Sequence, residues 1–341
     1  MLRYAIIGFG GLGRVHLGNL VKLNEERGDL SLCAICGTTE ENFKKSVSVN
    51  FGTFDCSHID ISNCHFYDDY KELIDKEKPD FVVSALPTYL HEEVAVYALT
   101  HGCHILSEKP MALSVESCQK MIDAANANKK LLMIGQCCRF APVYTKLKEY
   151  VDTGVFGKPY RAEFARYSQT PLWTWNNWIL NPEMSGGCVI DMHIHDTDLV
   201  NYIFGIPKSV HSIITNHKAE MESVYSQYIM PDGMVVLNNA DWSLPQKFPF
   251  EDRVMVVFEK ACVVINGESL VVYTDEETIT PELTGEGTHI TEMREFLDCI
   301  DNNRPSTIMN SESIMKSIKL GFIEIESSKT GKTIELNPEM F

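Results

Sequence analysis

A glycine-rich stretch at the start of the chain has the residue types and spacing that could bind a dinucleotide. Leu2–Ile7 is an apolar run typical of a buried parallel strand, and Gly8, Gly10 and Gly13 follow in the spacing G-x-G-x-x-G. In that pattern the first glycine permits a tight turn, the second lets a pyrophosphate approach the backbone, and the third lets the next helix pack closely. The free N–H groups of that helix would face the phosphates. The alternative is a glycine loop without a ligand.

The polar segment 185–198 holds the residues with the clearest acid–base potential. If the segment is extended, His193, His195 and Asp196 could bind a metal ion, as in a metal-dependent hydrolase. If it is helical, the two histidines point about 200° apart and cannot share one ion. A helix instead aligns on one face Asp191, His195, Asp198 and Tyr202. We favour the helix, because it also turns the following apolar residues towards a core.

On such a helix Asp191 and His195 form a pair suited to proton transfer. An imidazole with an ordinary pKa of ~6.5 accepts a proton near neutral pH, and a carboxylate one turn away can orient it or stabilise its cation. The residues alone leave open that His195 is an interior side chain with a structural hydrogen bond.

Two further polar groups follow predicted parallel strands. Segment 85–91 leaves the fourth strand, and Glu108 and Lys109 follow the fifth. Because ligands of doubly wound sheets bind at the carboxyl ends of the strands, we expect both groups at the ligand site. Pro110 restricts the backbone that presents Lys109. A solvated loop lysine is the alternative.

The elements that must position these residues form two domains. Residues 1–135 alternate short apolar runs with helical segments, which predicts an α/β Rossmann domain with a doubly wound parallel sheet. Its strands are predicted at 2–7, 30–36, 64–67, 81–85, 104–106 and 131–134. Residues 136–341 predict an α+β domain for substrate binding and oligomerisation, with a large, mostly antiparallel open sheet.

The second domain contains predicted helices over about 142–151 and over 189–204, together with a series of strands. The strands are predicted at 160–167, 210–214, 224–230, 234–242, 253–258, 262–265 and 270–273. Two last helices, within about 290–328, are expected to pack back on the first domain. Apolar Val236, Trp242 and Val256, assigned to the outward face of the sheet, suggest a homodimer or homotetramer through that sheet. The alternative is a face covered by the chain's own helices.

Composition narrows the function classes. A net charge of −17 argues against nucleic-acid binding, and no run reaches the ~18 apolar residues of a membrane span. Without an N-terminal secretion signal, a cytoplasmic location is the default expectation. The 11 cysteines then indicate reduced thiols. Cys33 and Cys36 match C-x-x-C, but they lie within a predicted strand, which argues against a redox or zinc role.

Taken together, the motifs resemble the glucose-fructose oxidoreductase / inositol dehydrogenase / rhizopine-catabolism (Gfo/Idh/MocA) family. The resemblance covers nearly the whole chain, and its order and spacing are highly specific. The segments that carry it are 8–13, 87–91, 108–110, 139–142, 178–187 and 191–198. It implies an NAD(P)-dependent oxidoreductase that acts on a sugar, a cyclitol or a related polyol or keto-sugar.

The resemblance also implies roles for individual residues. Lys109 would hydrogen-bond the reacting oxygen, His195 would take the hydroxyl proton as hydride moves to C4 of the nicotinamide, and Asp191 would position substrate hydroxyls and assist His195. No metal is expected. Substrate contacts are expected from Lys109, Tyr167, Trp173, Asp191 and His195. Cofactor contacts are expected from Gly8, Phe9, Gly10, Gly11, Leu12, Gly13, Gly37, Thr38, Thr39, Ala85, Leu86, Pro87, His91, Glu108, Lys109, Gln136 and Trp178.

The sequence departs from the family pattern where the cofactor is selected. The acid that often ends the second strand is absent, because the chain there reads Cys36-Gly37-Thr38-Thr39. Thr38 and Thr39, with Lys44 and Lys45 nearby, could accept a 2′-phosphate, although no arginine is present to clamp it. The sequence therefore favours NADP slightly over NAD.

Three other departures concern the substrate side and the strand-four loop. Cys188 replaces a frequent third glycine, Ile179 replaces a frequent arginine, and Thr88 stands where asparagine is common. The sequence does not name the substrate. A non-catalytic cofactor-binding or sugar-binding regulator on the same fold is the alternative, but Lys109 and His195 argue against it.

Overall fold

The computed structural model describes residues 1–49 and 52–341, which divide into two units. The first comprises Met1–Cys137, apart from the gap, with Glu286–Met315, and the second comprises Cys138–Gly285 with Lys316–Phe341. Each unit therefore takes its last elements from the C-terminal part of the chain.

The first unit is built on a parallel six-stranded sheet. Its strands are β1 (Leu2–Ile7), β2 (Leu30–Cys36), β5 (His65–Tyr67), β6 (Phe81–Ser84), β7 (His104–Glu108) and β8 (Leu132–Gly135). The strands β3 (Val47–Val49) and β4 (Gly52–Phe54) pair antiparallel in a separate sheet. The strand order is β5-β2-β1-β6-β7-β8. The chain first adds strands outward from β1 on one side and then adds β6, β7 and β8 outward on the other side, which is the doubly wound arrangement. The predicted fold class of this domain is confirmed.

Helices cover both faces of this sheet. They are α1 (Gly11–Arg27), α2 (Glu40–Phe43), α3 (Tyr70–Glu77), α4 (His91–Thr100) and α5 (Val115–Asn128). The side chains of Asp69 and Ser114 cap the N-termini of α3 and α5 by accepting backbone N–H groups. The central strands are buried on both sides, since Ile6, Ile7 and Val83 have no exposed surface.

The second unit is built on a nine-stranded mixed sheet. Its strands in Cys138–Gly285 are β9 (Pro159–Gln169), β10 (Ser209–Thr215), β11 (Ser223–Ile229), β12 (Val235–Leu244), β13 (Glu251–Phe258), β14 (Cys262–Asn266), β15 (Ser269–Tyr273) and β16 (Thr278–Ile279). The strand β9 lies between β12, to which it is parallel, and β13, to which it is antiparallel. The remaining pairings are antiparallel. The predicted α+β domain with a mostly antiparallel open sheet is confirmed.

The helices of this part of the chain pack on one face of the sheet. They are α6 (Pro142–Thr153), α7 (Pro182–Ser185), α8 (Gly187–Asp191) and α9 (Ile194–Phe204). Leu147 of α6 and Leu199 of α9 share a buried core with Val236 and Val256 of the sheet. The prediction that Val236, Trp242 and Val256 face outward is therefore wrong. Strand alternation separates two faces, but only packing decides which one the helices cover.

The predicted single helix over 189–204 is also corrected. It is interrupted after Asp191, and a new helix begins at Ile194. The N–H of His193 donates to the carbonyl of Cys188, five residues earlier, so the regular i to i−4 pattern is lost there. Asp191 and His195 consequently lie on two helices that a short irregular turn connects.

The C-terminal part of the chain adds α10 (Thr288–Asp301), α11 (Ser311–Thr330) and β17 (Ile334–Glu335), and β17 pairs with β10. The helix α10 packs against α1, where Arg294 pairs with Glu26 and Arg27 pairs with Asp301. Within residues 1–49 and 52–341, no helix has the length and apolar character needed to cross a membrane.

The eleven cysteines are free thiols. Cys33 and Cys36 lie in β2, as predicted, and burial raises the pKa of Cys33 to about 11 and that of Cys36 to about 12. Both are therefore protonated and unreactive near neutral pH.

Candidate active site

In the glycine-rich loop between β1 and α1, Gly8 and Gly13 are tightly packed and Gly10 faces open space. Gly8 has a φ of +88°, and a Cβ there would lie 2.5 Å from the carbonyl oxygen of Ala85. A Cβ at Gly13 would lie 2.1 Å from the carbonyl oxygen of Gly8, whereas one at Gly10 would meet no atom within 4 Å. These distances fit the predicted roles of a turn, close helix packing and a free approach to the backbone.

The start of α1 is suited to an anion. Gly10 is its N-terminal capping residue and supplies no side-chain hydrogen bond, and the first turn contains no acidic residue. The first N–H groups of the helix therefore keep their capacity to bind phosphate oxygens. Phe9 and Arg14 stabilise the loop. The Phe9 ring stacks on the Phe43 ring, and the Arg14 guanidinium lies 4.6 Å from the centre of the Phe9 ring.

The loop after β2 carries the residues predicted to select the cofactor. Gly37 has a φ of +85°, Thr38 is half-buried, and the Thr39 hydroxyl caps α2. The ammonium groups of Lys44 and Lys45 lie 2.7 and 2.8 Å from carboxylate oxygens of the glutamates four residues earlier. These pairs are exposed, so a phosphate could compete for either lysine at small cost.

The loops after β6 and β7 are joined by His91. Its two ring nitrogens lie 2.9 Å from the carbonyl oxygen of Leu86 and 2.7 Å from that of Pro110. Burial lowers the pKa of His91 and outweighs the contacts with the two carbonyl oxygens, which raise it. The histidine was predicted to contact the cofactor, and both of its nitrogens are directed at the protein backbone. It holds together the loop of Ala85–Pro87 and the loop of Lys109.

Glu108 braces the predicted catalytic lysine from inside the protein. Its carboxylate lies 2.7 Å from Nε2 of His16 and accepts the backbone N–H of Lys109. Burial alone would raise the pKa of Glu108, but the hydrogen bond with His16 and the nearby charges of His16, His289 and Lys109 together outweigh it, and the pKa lies below its usual value. Glu108 is buried and Lys109 is half-buried. The sequence did not identify His16 as the partner, because 92 residues separate it from Glu108.

Buried polar atoms without protein partners lie at the ends of three neighbouring strands. Within the described part of the chain, Nε2 and Oε1 of Gln136 and the hydroxyls of Ser84 and Ser107 have no hydrogen-bond partner. Such atoms normally have partners, so a ligand or water at this edge would satisfy them. Together with the space over Gly10 and the free start of α1, the residues present fit a dinucleotide. Ser84 and Ser107 were not predicted, although a polar residue in an apolar strand is a signal.

In the second unit, three buried pairs surround His195. Asp196 forms a two-pronged ion pair with Arg166, at 2.9 and 2.8 Å. Asp198 forms another with Arg139, with both distances 2.7 Å. Each pair leaves at most 5% of its side-chain surface exposed. Charged groups this deeply buried require such partners, so both pairs fix the first turn of α9.

The third pair involves His193. Its Nε2 lies 2.8 Å from Oε1 of Glu324, which also accepts the hydroxyls of Ser226 and Tyr228. His193 and Asp196 are therefore each paired with a different residue, Glu324 and Arg166. No group of three or more His, Cys, Asp or Glu side chains suited to a metal ion occurs in the described ranges. The hydrolase interpretation thus lacks the geometry that it requires.

His195 is the one side chain of segment 185–201 that is half-exposed; every other residue of the segment is buried. Asp191 is 9% exposed at the end of α8. The Nδ1 atom of His195 lies 3.6 Å from Sγ of Cys138. An accessible imidazole on a rigid support is the arrangement expected of a proton acceptor.

The remaining predicted residues of this unit lie in β9 and in the segment that follows it. Tyr167 is half-buried in β9. Trp173 and Trp178 are half-buried, the latter in the 3₁₀ helix Trp175–Leu180. Asn176 and Asn177 have positive φ angles within that segment, so the backbone kinks there. The sequence did not predict this helix.

Comparison with known proteins tests the family assignment. The model "Oxidoreductase family, NAD-binding Rossmann fold" matches residues 2–136, and the model "GFO/IDH/MocA C-terminal domain" matches residues 144–264. The chain belongs to the Gfo/Idh/MocA oxidoreductase family. The predicted resemblance is confirmed, and the chain has the NAD-binding Rossmann domain of that family.

The relatives of this Gfo/Idh/MocA chain include a sugar dehydrogenase and an inositol dehydrogenase. The chain is 32% identical to D-glucoside 3-dehydrogenase of Escherichia coli over 217 residues, which is 62% of this chain and 57% of that protein. It is 24% identical to myo-inositol 2-dehydrogenase of Thermotoga maritima over 352 aligned residues, covering 98% of both.

A solved structure of levoglucosan dehydrogenase in complex with NADH and levoglucosan has the same fold. The TM-score is 0.83 at 18% identity, and the match covers 98% of this chain and 99% of that one.

Proposed function

We propose that this protein is an NAD(P)-dependent dehydrogenase or reductase that transfers hydride between nicotinamide C4 and a secondary carbinol of a sugar, a cyclitol or a related polyol or keto-sugar. The observation that carries the proposal is the single half-exposed histidine, His195, in a buried segment that three buried pairs hold in place. A structural histidine would be buried like its neighbours, whereas a proton acceptor must be reached by substrate.

The residues divide the chemistry of alcohol oxidation among them. When bound, the nicotinamide supplies the acceptor for the hydride. His195 takes the hydroxyl proton, so that the O–H bond breaks as an N–H bond forms on the ring. Lys109 donates a hydrogen bond to the substrate oxygen and stabilises its developing negative charge. Asp191 positions substrate hydroxyls and supports the charged form of His195.

The glycine loop is assigned to the pyrophosphate and Gln136 to a polar group of the bound cofactor. We assign cofactor binding to residues 1–135, and substrate binding and oligomerisation to residues 136–341. Trp178, Tyr167 and Trp173 are proposed contacts for cofactor or substrate.

For the choice of cofactor we propose a modest preference for NADP over NAD. Lys44 and Lys45 are the cations beside the loop after β2, and their exposed pairs with glutamates are weak enough to be exchanged for a 2′-phosphate. Replacing both lysines by glutamine should weaken NADPH binding about fivefold and leave NADH binding unchanged. Fluorescence titration with each reduced cofactor measures both affinities. Equal losses for the two cofactors would contradict the preference.

We further propose that a second copy of the chain covers the sheet face opposite the core, giving a homodimer or homotetramer. That face carries the exposed apolar side chains Ile213, Tyr225 and Leu237. The variant Tyr225→Lys/Leu237→Lys should dissociate the assembly, as measured by light scattering. A wild-type chain that is monomeric at micromolar concentration would remove this proposal.

The catalytic proposal is tested by a substrate screen with two active-site variants. The wild-type protein is assayed at 340 nm with inositols, aldoses and polyols and with both cofactors. For a substrate that is turned over, Lys109→Met and His195→Ala should each lower kcat by at least about a hundredfold and leave cofactor affinity within about twofold.

Matched controls exclude effects of charge or folding. Lys260→Met and His58→Ala make the same substitutions at exposed positions and should retain full activity. Near-normal turnover in either active-site variant would contradict the assigned roles. A protein that binds NADPH or NADH tightly but turns over no polyol would favour the regulator alternative.

A further inference from the structure

The contact between Cys138 and His195 points to a role that the motifs do not assign. Sγ of Cys138 lies 3.6 Å from Nδ1 of His195, within the range of a hydrogen bond to sulfur. We propose that Cys138 is a positioning residue: its sulfur accepts a hydrogen bond from the Nδ1–H group of His195. The unprotonated Nε2 is then the atom that takes the substrate's proton. This inference rests on the proposed function.

The distance between the two side chains is fixed by the ion pair beside them. Cys138 is followed by Arg139, and Asp198 lies three residues after His195 in α9. The two-pronged pair of Arg139 and Asp198 thus ties the short helix Cys137–Phe140 to the turn that carries the imidazole.

Two more contacts hold that ion pair itself. The hydroxyl of Ser317 donates to Asp198 at 2.7 Å, and the Arg139 guanidinium lies 4.7 Å from the centre of the Tyr202 ring. A support with this many partners has one geometry, so the thiol stays at the Nδ1 side of the ring.

The chemistry of imidazole makes this contact consequential. The neutral ring carries one N–H, on either Nδ1 or Nε2, and its other nitrogen is the base. When Nε2 has accepted a proton, both nitrogens carry hydrogen and Nδ1 needs an acceptor. Sulfur has lone pairs that serve, so an Nδ1–H···Sγ contact persists throughout the proton transfer. In the other tautomer, Nε2 is already protonated and cannot accept.

Cys138 differs in this respect from most cysteines of the chain. Eight of the eleven are buried, while Cys137, Cys138 and Cys262 are partly exposed. Cys137 is therefore a matched control for Cys138, because it is the adjacent residue, of the same type and likewise partly exposed. A serine at 138 retains a hydrogen-bonding oxygen, and an alanine removes it.

The first test measures the tautomer directly and does not depend on activity. Two-dimensional ¹⁵N–¹H NMR of the full chain labelled at histidine, at pH 8, reports which ring nitrogen carries the proton. The His195 signal is assigned by its loss in His195→Gln. We expect Nδ1 protonated in the wild-type protein, in Cys137→Ala and in Cys138→Ser, and a shift towards protonated Nε2 in Cys138→Ala.

The second test measures the pH profile of kcat on the best substrate. The variant Cys138→Ala loses this weak hydrogen bond. It should therefore lower kcat about fivefold and shift the apparent pKa of the basic group downward. The KM for cofactor should be unchanged. Cys138→Ser should restore most of kcat and of the pKa, and Cys137→Ala should match the wild type. A merely structural role would change stability or KM without moving the pH profile.

The outcomes separate this inference from the proposed function. Protonated Nε2 in the wild-type chain would overturn the inference, as would a tautomer unchanged in Cys138→Ala. If Cys138→Ala does not fold, the wild-type and Cys138→Ser spectra still decide. If no polyol is oxidised but Nδ1 is protonated and depends on Cys138, the contact is supported and the proposed function fails.

Discussion

Three alanine substitutions in and beside α1 would separate cofactor binding from helix packing. Gly10, Gly13 and Gly18 lie within nine residues of one another but have different surroundings. An added Cβ would meet nothing within 4 Å at Gly10 or at Gly18, and would lie 2.1 Å from a backbone oxygen at Gly13. Gly18 is exposed in the middle of the helix. The three variants therefore add the same methyl group to open, closed and solvent-facing positions.

The expected stabilities follow from these distances. At Gly13 the methyl group would be about 1.3 Å closer than the 3.4 Å at which ordinary contact begins, and a carbonyl oxygen cannot swing aside as a side chain does. We expect Gly13→Ala to lower the free energy of unfolding by about 2 kcal/mol or more, even after the gain in helix propensity. Gly18→Ala has only that gain and should be up to about 1 kcal/mol more stable. Gly10→Ala should match the wild type within about 0.5 kcal/mol.

Cofactor affinity should distinguish the variants differently. The methyl group at Gly10 would occupy the space over the loop, so Gly10→Ala should weaken NADPH and NADH binding by about tenfold or more. Gly18→Ala should bind both with wild-type affinity. Urea denaturation gives the stabilities, and fluorescence titration gives the affinities. Wild-type affinity in Gly10→Ala would refute the assignment of the loop, and wild-type stability in Gly13→Ala would refute the packing argument.

Three further predictions concern ionisable groups that are buried or partly buried. Asp198→Asn should lower the free energy of unfolding by about 3 kcal/mol, since it leaves the Arg139 guanidinium buried without its charged partner, and urea denaturation measures this loss. Burial lowers the pKa of His104 to about 4, so the folded state binds this proton less readily than the unfolded chain does. The stability of the fold should therefore fall as the pH drops from about 6.5 to 4. In thermal melts, His104→Asn should reduce this dependence of stability on pH. Glu108→Gln should cost about 2 kcal/mol, measured in urea, because it replaces the charged acceptor of the His16 hydrogen bond.

Exposed positions supply the controls for these three variants. Asp232→Asn and Glu268→Gln remove a carboxylate at the surface and should stay within about 0.5 kcal/mol of the wild type. His58→Asn makes the same substitution at an exposed position and is melted alongside His104→Asn as its control. An Asp198→Asn variant as stable as its surface control would contradict the importance given to the buried ion pair.

The strands of the Rossmann domain were predictable because they are buried on both faces. Runs such as Leu30–Cys36 are apolar apart from Ser31, so composition alone marks their position to within a few residues. The turn between β11 and β12 was equally predictable, because Pro and Asp precede Gly233 in the sequence. In the structure Gly233 has a φ of +91°. The type of each domain and the residues of the glycine loop followed from such local signals.

The parts that the sequence did not reveal depend on distant partners. The helix break after Asp191 places His193 against Glu324, a residue 131 positions later, and helix periodicity contains no trace of that contact. The position of β9 between β12 and β13 is likewise non-local, because successive strands usually pair with each other. The face of Val236 and Val256 was assigned wrongly for the same reason.

The packing of α10 on α1 has a consequence for how the chain is made. The ring of Phe296 in α10 is fully buried and lies 5.5 Å from that of Phe81 in the central sheet. A ribosome releases this helix about 150 residues after the last strand of that sheet. The nascent Rossmann sheet therefore waits, with its apolar surface uncovered, until the rest of the protein has been synthesised. A premature stop anywhere before Thr288 would deprive the nucleotide-binding half of part of its own core, so early termination should yield an aggregation-prone fragment and no independent cofactor-binding module.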